Sequence, residues 1–221
     1  MSIPEDDRRR LTVTEVADGA PDDFRHVLDR LIARYETVDF AAAIVLVDRI
    51  GAVAEEANHH PDLRLGWGYV DVRLSSHDVG GLTARDLRLA RRVSELAAQA
   101  GATPRPAAIT LVELGLDTWD GSEVAPFWNA ILGHEPSGSG EVVDPQGHSP
   151  TIWFQDTDRH ETPRQRFHLD VWVPVDEARA RIDAALAAGG VLVADDEAPS
   201  FWVLADAQGN RACICTVQDR A

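Results

Sequence analysis

Apolar residues recur at three- and four-residue intervals across residues 40–54, directly after Asp39. Side chains at this spacing line one face of a helix, and an aspartate is a good residue to cap its first turn. The helix should end near Ala57, because Pro61 keeps the residue before it out of helical geometry. A second long helix is predicted over residues 83–101, where the same spacing returns and a glycine ends the pattern.

The spacing of apolar residues changes to two between Leu63 and Ser75, which predicts one half-buried antiparallel strand. Ahead of the first long helix, the pattern predicts a short amphipathic helix over residues 22–33 and a strand over residues 32–38. Residues 1–22 are charged and contain proline and glycine, so we expect a frayed start.

The segment 102–107 is the best candidate for a linker, since it holds two prolines and little to bury. Residues 1–101 and 108–221 are therefore interpreted as two α+β domains. In the second domain the patterns predict strands over 109–116, 151–155, 167–173, 191–194, 201–205 and 212–217, and helices over 123–132 and 176–188. Their order indicates two copies of one strand–helix–strands unit.

Charge excludes several partners. The chain of 221 residues has a formal net charge of −16 and no lysine. Phosphate backbones and anionic membranes require a basic face, so we expect no nucleic acid and no membrane as partner. The absence of lysine excludes Schiff-base chemistry and a P-loop.

Two further features of the sequence indicate the cellular compartment of the protein. The start of the chain has no apolar secretory segment, and no apolar run is long enough to span a membrane. Cys213 and Cys215 face the same side of a predicted strand, a poor geometry for a mutual disulfide. A cytoplasmic protein is therefore expected.

Titratable and aromatic side chains concentrate between residues 55 and 86. They are Glu55, His59, His60, Trp67, His77 and Asp86. Each has a plain structural explanation: histidines favour helix C-termini, His77 suits a turn, and Asp86 forms a capping box with Thr83. Three histidines could also bind zinc. Adjacent histidines point in different directions, however, and no fourth ligand stands out, so no metal is expected here.

The spacing of these residues resembles the signature of the pterin-4a-carbinolamine dehydratases, and so does the segment 75–83. The resemblance covers roughly residues 10–100. It implies an antiparallel four-stranded sheet with helices on one face, assembly into a homo-oligomer, a pterin substrate, and no metal or dissociable cofactor. Ser76 stands where the family commonly has threonine, and we expect this departure not to touch the chemistry.

The resemblance implies dehydration of a 4a-hydroxytetrahydropterin to the quinonoid dihydropterin. This reaction delivers a proton to the leaving oxygen and removes one from the neighbouring ring nitrogen, and imidazole does both near neutral pH. We expect His59 and His77 to be the acid/base pair and His60 to orient the pterin ring. Three further residues are predicted to bind substrate or support the pocket: Glu55, Trp67 and Asp86.

The second half resembles the glyoxalase-like, vicinal-oxygen-chelate superfamily, whose βαβββ module occurs twice. The resembling segments are 124–133, 167–171 and 201–210. Metal-dependent members place ligands on the first and last strand of each module, which correspond here to Glu113, His168, Cys213 and either Phe154 or Gln155. Only two of these positions carry strong ligands, so we expect a metal-free accessory or ligand-binding domain. His134, His148 and His160 are assigned no role.

Two alternatives stay open. The second domain could be a metal-dependent lyase or dioxygenase that uses Glu113 and His168, with the first domain serving for assembly. The first domain could instead be a non-enzymatic oligomerisation module, because fold alone does not determine function.

Overall fold

The computed structural model describes residues 4–132, 134, 136–144, 147, 149–158, 167–187, 189–205 and 211–220. The chain divides into two units, residues 1–109 and 110–221, and each contains a sheet with helices packed on it. The predicted α+β class is confirmed. No helix in the described ranges combines the length and the hydropathy that a membrane span needs.

The first unit is built on an antiparallel sheet. Its elements are α1 (Val13–Gly19), β1 (Arg25–Val27), β2 (Arg30–Glu36), α2 (Phe40–Ala57), β3 (Asp62–Gly66), β4 (Tyr69–Leu74), α3 (Ala84–Gln99) and β5 (Thr103–Pro104), with 3-10 turns at Glu5–Arg8 and Pro106–Ala108. The strand order is β1-β2-β4-β3, and β5 pairs with β2.

The core of the first unit lies between this sheet and the helices α2 and α3. One face of the sheet contributes Leu31, Ala33, Tyr35, Val70, Val72 and Leu74, and the helices contribute Ala43, Leu46, Ile50, Leu89 and Val93. These side chains are almost completely removed from water. The two helix predictions from apolar spacing are therefore confirmed, because each helix buries the stripe that its sequence marks out.

Several predicted elements of the first unit are wrong. The single strand expected over 63–75 is the hairpin β3–β4, which turns at Trp67 and Gly68, where Gly68 has φ +77°. The helix expected over 22–33 is the β1–β2 hairpin, and the expected frayed start contains α1. The predicted linker 102–107 includes β5, whose two residues pair with the end of β2.

The second unit contains a mixed sheet with the strand order β7-β6-β8-β11-β10-β9. Its elements are β6 (Leu111–Thr118), α4 (Gly121–Leu132), β7 (Ile152–Asp156), β8 (Phe167–Trp172), a 3-10 turn (Val175–Glu177), α5 (Ala178–Ala187), β9 (Val191–Ala194), β10 (Phe201–Ala205) and β11 (Arg211–Cys215). The elements from β8 to β11 form one βαβββ module. The described part of the first module contains β6, α4 and β7, and an isolated antiparallel bridge pairs Val142 with Ile152 of β7. Residues 206–210, which connect β10 and β11 in the sequence, lie outside the described residues.

The two faces of the second sheet differ in character because strand side chains alternate. One face packs against the helices through two apolar clusters, Leu114, Leu116, Ile152 and Phe154 with α4, and Val171, Leu204 and Ile214 with α5. The other face carries charged, aromatic and sulfur-containing side chains that line a cavity.

Candidate active site

The end of α2 determines where the two adjacent histidines lie. Asn58 takes a left-handed conformation with φ +46°, which asparagine tolerates well, and the backbone N–H of His59 donates to the carbonyl of Ala54 at 3.1 Å. This reversal of the chain turns His59 into the protein, where it is 7% exposed, and leaves His60 exposed.

Asp86 is the partner of His59. The His59 Nε2 atom lies 2.8 Å from Asp86 Oδ1, and Asp86 has no exposed surface. The second carboxylate oxygen, Oδ2, accepts hydrogen bonds from the Ser76 hydroxyl at 2.7 Å and from the Thr83 backbone N–H at 2.7 Å. Thr83 and Asp86 also form the predicted capping box of α3.

These hydrogen bonds determine the charge of the site. Burial on its own would raise the pKa of Asp86, but the hydrogen bonds from His59, Thr83 and Ser76 outweigh it, and the pKa is lowered from its usual value. An ionised carboxylate only accepts hydrogen bonds, so we assign the proton of a neutral His59 ring to Nε2. The Nδ1 atom of His59 then keeps a lone pair and can act as a base.

Two chain segments meet at this carboxylate. His60 directly follows the residue that binds one oxygen of Asp86, and His77 directly follows Ser76, which binds the other. The structure therefore places His59 in contact with the buried carboxylate and brings the backbone of His60 and of His77 close to it, from the end of α2 and from the turn after β4. His77 is exposed.

The predicted supporting residues are placed less uniformly. Glu55 Oε1 lies 3.1 Å from His60 Nε2, and both side chains are exposed, so their pairing contributes little stability. Trp67 is 77% exposed at the tip of the β3–β4 hairpin, whereas the histidines lie near its base. The length of β3, about 13 Å at the usual rise per residue, separates the two ends. The substrate-binding role of Trp67 stays a prediction.

The expectation that serine in place of threonine at position 76 does not touch the chemistry stays a prediction, but the Ser76 side chain itself lies at the candidate site. Its hydroxyl is buried and bonds both Asp86 and Thr83, so it helps to hold the group that holds His59. The sequence contained a signal for this contact, because Ser76 lies next to a candidate catalytic histidine. The distance in sequence to Asp86 hid it.

The second unit gathers another group of polar side chains in its cavity. The donor atoms of His168, Asp170 and Cys213 lie within 4.8 Å of one another. Glu113 is not a member of this group in the described part of the chain, and its Oε2 accepts a hydrogen bond from the Trp172 indole at 2.7 Å. Sequence reasoning missed Asp170, although the alternation along β8 places it on the same face as His168.

This donor set shows whether the second unit could hold a metal ion of the kind found in glyoxalase-like enzymes. Of the other predicted positions, Phe154 packs in the core beside α4 and Gln155 lines the cavity. Four predicted positions, Glu113, Gln155, His168 and Cys213, therefore line one cavity, but within the described residues only His168 and Cys213 belong to the close donor group, together with Asp170. Nitrogen, oxygen and sulfur donors suit a borderline ion such as Zn²⁺ better than Mg²⁺. Burial and the charge of Asp170 raise the pKa of the Cys213 thiol to about 12, so without an ion its sulfur is protonated.

Comparison with known proteins agrees with this division. A family model described as "Pterin 4 alpha carbinolamine dehydratase" matches residues 12–96, and a model described as "Glyoxalase-like domain" matches residues 113–215. The predicted pair of resemblances is confirmed.

Two relatives named for pterin-4-alpha-carbinolamine dehydratase, each provisionally, match the first unit. The protein from Nocardia farcinica is 48% identical over 69 residues, which is 31% of this chain and 73% of the relative. The protein from Natronomonas pharaonis is 38% identical over 88 residues, 40% of this chain and 96% of the relative. A solved structure of a transcriptional coactivator/pterin dehydratase from Brucella melitensis matches at 28% identity with a TM-score of 0.39, covering 40% of this chain and 99% of that one.

Proposed function

The chain belongs to the pterin-4a-carbinolamine dehydratase family and carries a glyoxalase-like domain, and we propose on that basis that its first unit dehydrates a 4a-hydroxytetrahydropterin to the quinonoid dihydropterin. The observation that carries the proposal is the pairing of His59 with the buried Asp86. His60 and His77 each directly follow a residue that is hydrogen-bonded to that carboxylate. Histidine is suited to this reaction, since it can give or take a proton near neutral pH.

The proposed reaction uses two of the histidines in opposite senses. His59 Nδ1 accepts the proton from the ring nitrogen next to the carbinolamine carbon, and the electron pair of that N–H bond forms the new C=N bond. Protonated His77 gives its proton to the hydroxyl as the C–O bond breaks, so the oxygen leaves as water. The reverse proton transfers through solvent restore both rings.

Asp86 and His60 have supporting roles in this scheme. The Asp86 carboxylate holds the proton of His59 on Nε2 and stabilises the imidazolium that forms when Nδ1 is protonated. His60 is exposed beside this centre and is assigned the contact with the pterin ring, with Glu55 bound to its Nε2 atom. No dissociable cofactor is required, because every proton goes to or comes from a side chain or water.

The test is carbinolamine dehydration followed by ultraviolet absorbance, with the pterin generated in place by an aromatic amino acid hydroxylase. The native chain should accelerate the reaction, and replacing both His59 and His77 by glutamine should remove about a hundredfold or more of that acceleration. His134→Gln, which changes a histidine of the second unit, is the matched control. A folded double variant that keeps the native rate would contradict the proposal.

Assembly into a homo-oligomer and a cytoplasmic location are part of the same proposal. An apolar surface on α2 supports assembly: Phe40, Ile44 and Val45 are each about half exposed on the side of the helix that does not face the sheet. Clustered apolar side chains of this size are common where protein surfaces associate.

A second candidate function is a metal-dependent lyase or dioxygenase activity of the second unit. It is supported by the group His168, Asp170 and Cys213. These residues would hold the ion, which would polarise a bound oxygen as a Lewis acid. Equilibrium dialysis against Zn²⁺ separates the two candidates. One tightly bound ion, lost in Cys213→Ala, favours this candidate, and the dehydration assay is independent of it.

A further inference from the structure

The cavity of the second unit has the size and walls of a small-molecule site. It has a volume of about 770 Å³, within the range of about 300–1,000 Å³ usual for ligand pockets. Its walls include four aromatic side chains, which are Trp153, Phe167, Trp172 and Phe201. Flat aromatic faces of this kind favour a planar ligand, and their electron-rich faces attract cations.

The interior of this cavity is acidic. Its described lining includes the carboxyl groups of Glu113, Asp117, Glu141 and Asp170. Glu113 and Asp170 are directly opposed on neighbouring strands, and Asp170 is buried while Glu113 is partly buried. Two carboxyl groups placed together and away from water gain from a positively charged partner.

Asp170 is the most deeply buried of these carboxyl groups. It is 8% exposed, and its shortest ion-pair distance is 3.5 Å, to His168 Nε2, which is longer than a normal hydrogen bond. The Cys213 thiol, which is a weak donor, and the Trp153 indole also lie beside this carboxyl group. The indole N–H of Trp153 is nevertheless buried without an acceptor at hydrogen-bonding geometry among the described residues. A buried donor in the wall of this cavity therefore lacks a well-placed acceptor within the described residues.

One arginine of the lining, Arg220, contacts other groups of the cavity wall. The Arg220 guanidinium stacks on the Trp172 ring at 4.1 Å from its centroid, and its Nε donates to the carbonyl of Thr216 at 3.1 Å. Arg211 is exposed at the start of β11.

The wall around Asp170 is held in place by close packing. The His168 ring lies over Gly115, its partner on β6, where a Cβ atom would come within 2.3 Å of the ring. On its other side the ring meets Trp153 edge to face, with centroids 5.3 Å apart. The glycine thus makes room for the histidine, and the histidine orients the tryptophan beside Asp170.

We propose that this cavity binds a planar aromatic compound that carries adjacent N–H donors or a positive charge, such as an aryl amidine or an aminoheterocycle. Its N–H groups donate to Asp170, and its ring lies against the aromatic walls. Charge-assisted hydrogen bonds of this geometry are stronger than neutral ones. The inference concerns the second unit and does not depend on the dehydration reaction of the first.

The experiment compares two probes of the same size and opposite charge, benzamidine and benzoate, by calorimetric titration of the full chain. Benzamidine should bind, and benzoate should bind at least tenfold more weakly. Asp170→Asn should weaken benzamidine binding by about tenfold to a hundredfold, since it removes the charged acceptor. Asp196→Asn removes an exposed carboxylate of the same unit that does not line the cavity, and should leave binding unchanged.

Circular dichroism of each variant shows whether the second unit is still folded. If Asp170→Asn does not fold, Glu113→Gln serves instead, because its amide oxygen still accepts from Trp172 while the charge is lost. Binding of benzoate as tight as that of benzamidine, or unchanged benzamidine affinity in both folded variants, would overturn the proposal.

A competition experiment tests whether the aromatic ligand of the cavity is a pterin. An oxidised pterin has adjacent N–H groups on a planar ring, so its displacement of benzamidine would assign the cavity to the same compounds as the first unit. If pterin does not displace benzamidine, the cavity is assigned to a different amidine or aminoheterocycle.

Discussion

His59 and Asp86 lie 27 positions apart in the chain, yet the His59 Nε2 atom is 2.8 Å from Asp86 Oδ1 in the interior of the first unit. Asp86 also ends the capping box of α3, so one carboxylate both starts a helix and orients a histidine. A change at Asp86 is therefore expected to affect the stability of the fold and the proposed chemistry together.

Asp86→Asn should lower the free energy of unfolding by about 1–3 kcal/mol at neutral pH, because a buried, charged hydrogen-bond network is weakened. The pKa of Asp86 is lowered by folding, so its stabilisation is present above the unfolded value of about 3.9 and is lost as pH falls through the folded value. Urea unfolding between pH 2 and 7 should show the native protein and the variant converging in acid.

The control for this series is Asp62→Asn, which changes an exposed aspartate at the start of β3. Its difference from the native protein should stay within about 0.5 kcal/mol. A stability gap for Asp86→Asn that does not change with pH would show that the carboxylate is not ionised in the folded protein.

Ser76→Ala should reduce dehydratase activity and stability, because it removes the 2.7 Å hydrogen bond to Asp86 Oδ2. The expected destabilisation is about 1 kcal/mol, since Thr83 still donates to the same oxygen. Ser76→Thr keeps the hydroxyl and should restore both properties. Ser75→Ala is the neighbouring control, and an equal effect there would mean that Ser76 does not act through Asp86. The pH dependence of kcat distinguishes two roles of Ser76. If Ser76 positions His59 through Asp86, its replacement should change the pH profile, whereas a loss of stability alone should leave the profile unchanged.

His59→Ala and His60→Ala should separate stability from activity. His59→Ala leaves a buried carboxylate oxygen without its partner and should cost about 1–3 kcal/mol. His60→Ala removes only an exposed pairing with Glu55 and should cost less than about 0.5 kcal/mol. Both should lower activity, measured in the dehydration assay beside thermal unfolding. Full activity of a folded His60→Ala protein would remove His60 from the proposed site.

Gly115→Ala should destabilise the second unit by about 1–3 kcal/mol, because the added methyl group would meet the His168 ring. The displaced ring should also alter tryptophan fluorescence through its contact with Trp153. Gly51→Ala is the contrasting change: its Cβ meets nothing within 4 Å on α2, and it should stabilise the helix by about 0.5–1 kcal/mol. Chemical unfolding followed by fluorescence measures both.

Ile44→Glu on the exposed face of α2 should dissociate the proposed homo-oligomer, because a charge would be buried at a contact between copies. Light scattering after size exclusion gives the molar mass. Gln99→Glu adds the same charge at an exposed position on α3 and should leave the mass unchanged. A monomeric native protein would contradict this part of the proposal outright.

Local pattern was sufficient for the long helices and for most strands of the second unit. The apolar stripe of α2, the cap at Asp39 and the capping box of Thr83 and Asp86 are interactions within a few residues, so each is visible in the sequence. Among the six signature positions, His59 and Asp86 meet in the structure, whereas Trp67 lies at the far end of the β3–β4 hairpin. The hairpin at Trp67 and Gly68 was missed because alternation continues through both strands and hides a two-residue turn.

Contacts between distant residues were decided by the tertiary structure alone. The meeting of His59, Ser76 and Asp86 requires α2, the turn after β4 and α3 to pack on one sheet, and no local spacing specifies that geometry. In the second unit, the sequence marked His168 by its type, but only the pairing of β6 with β8 places Asp170 opposite Glu113 and the His168 ring over Gly115. Periodicity records which face of an element is buried, whereas the neighbours of a side chain depend on how the elements pack.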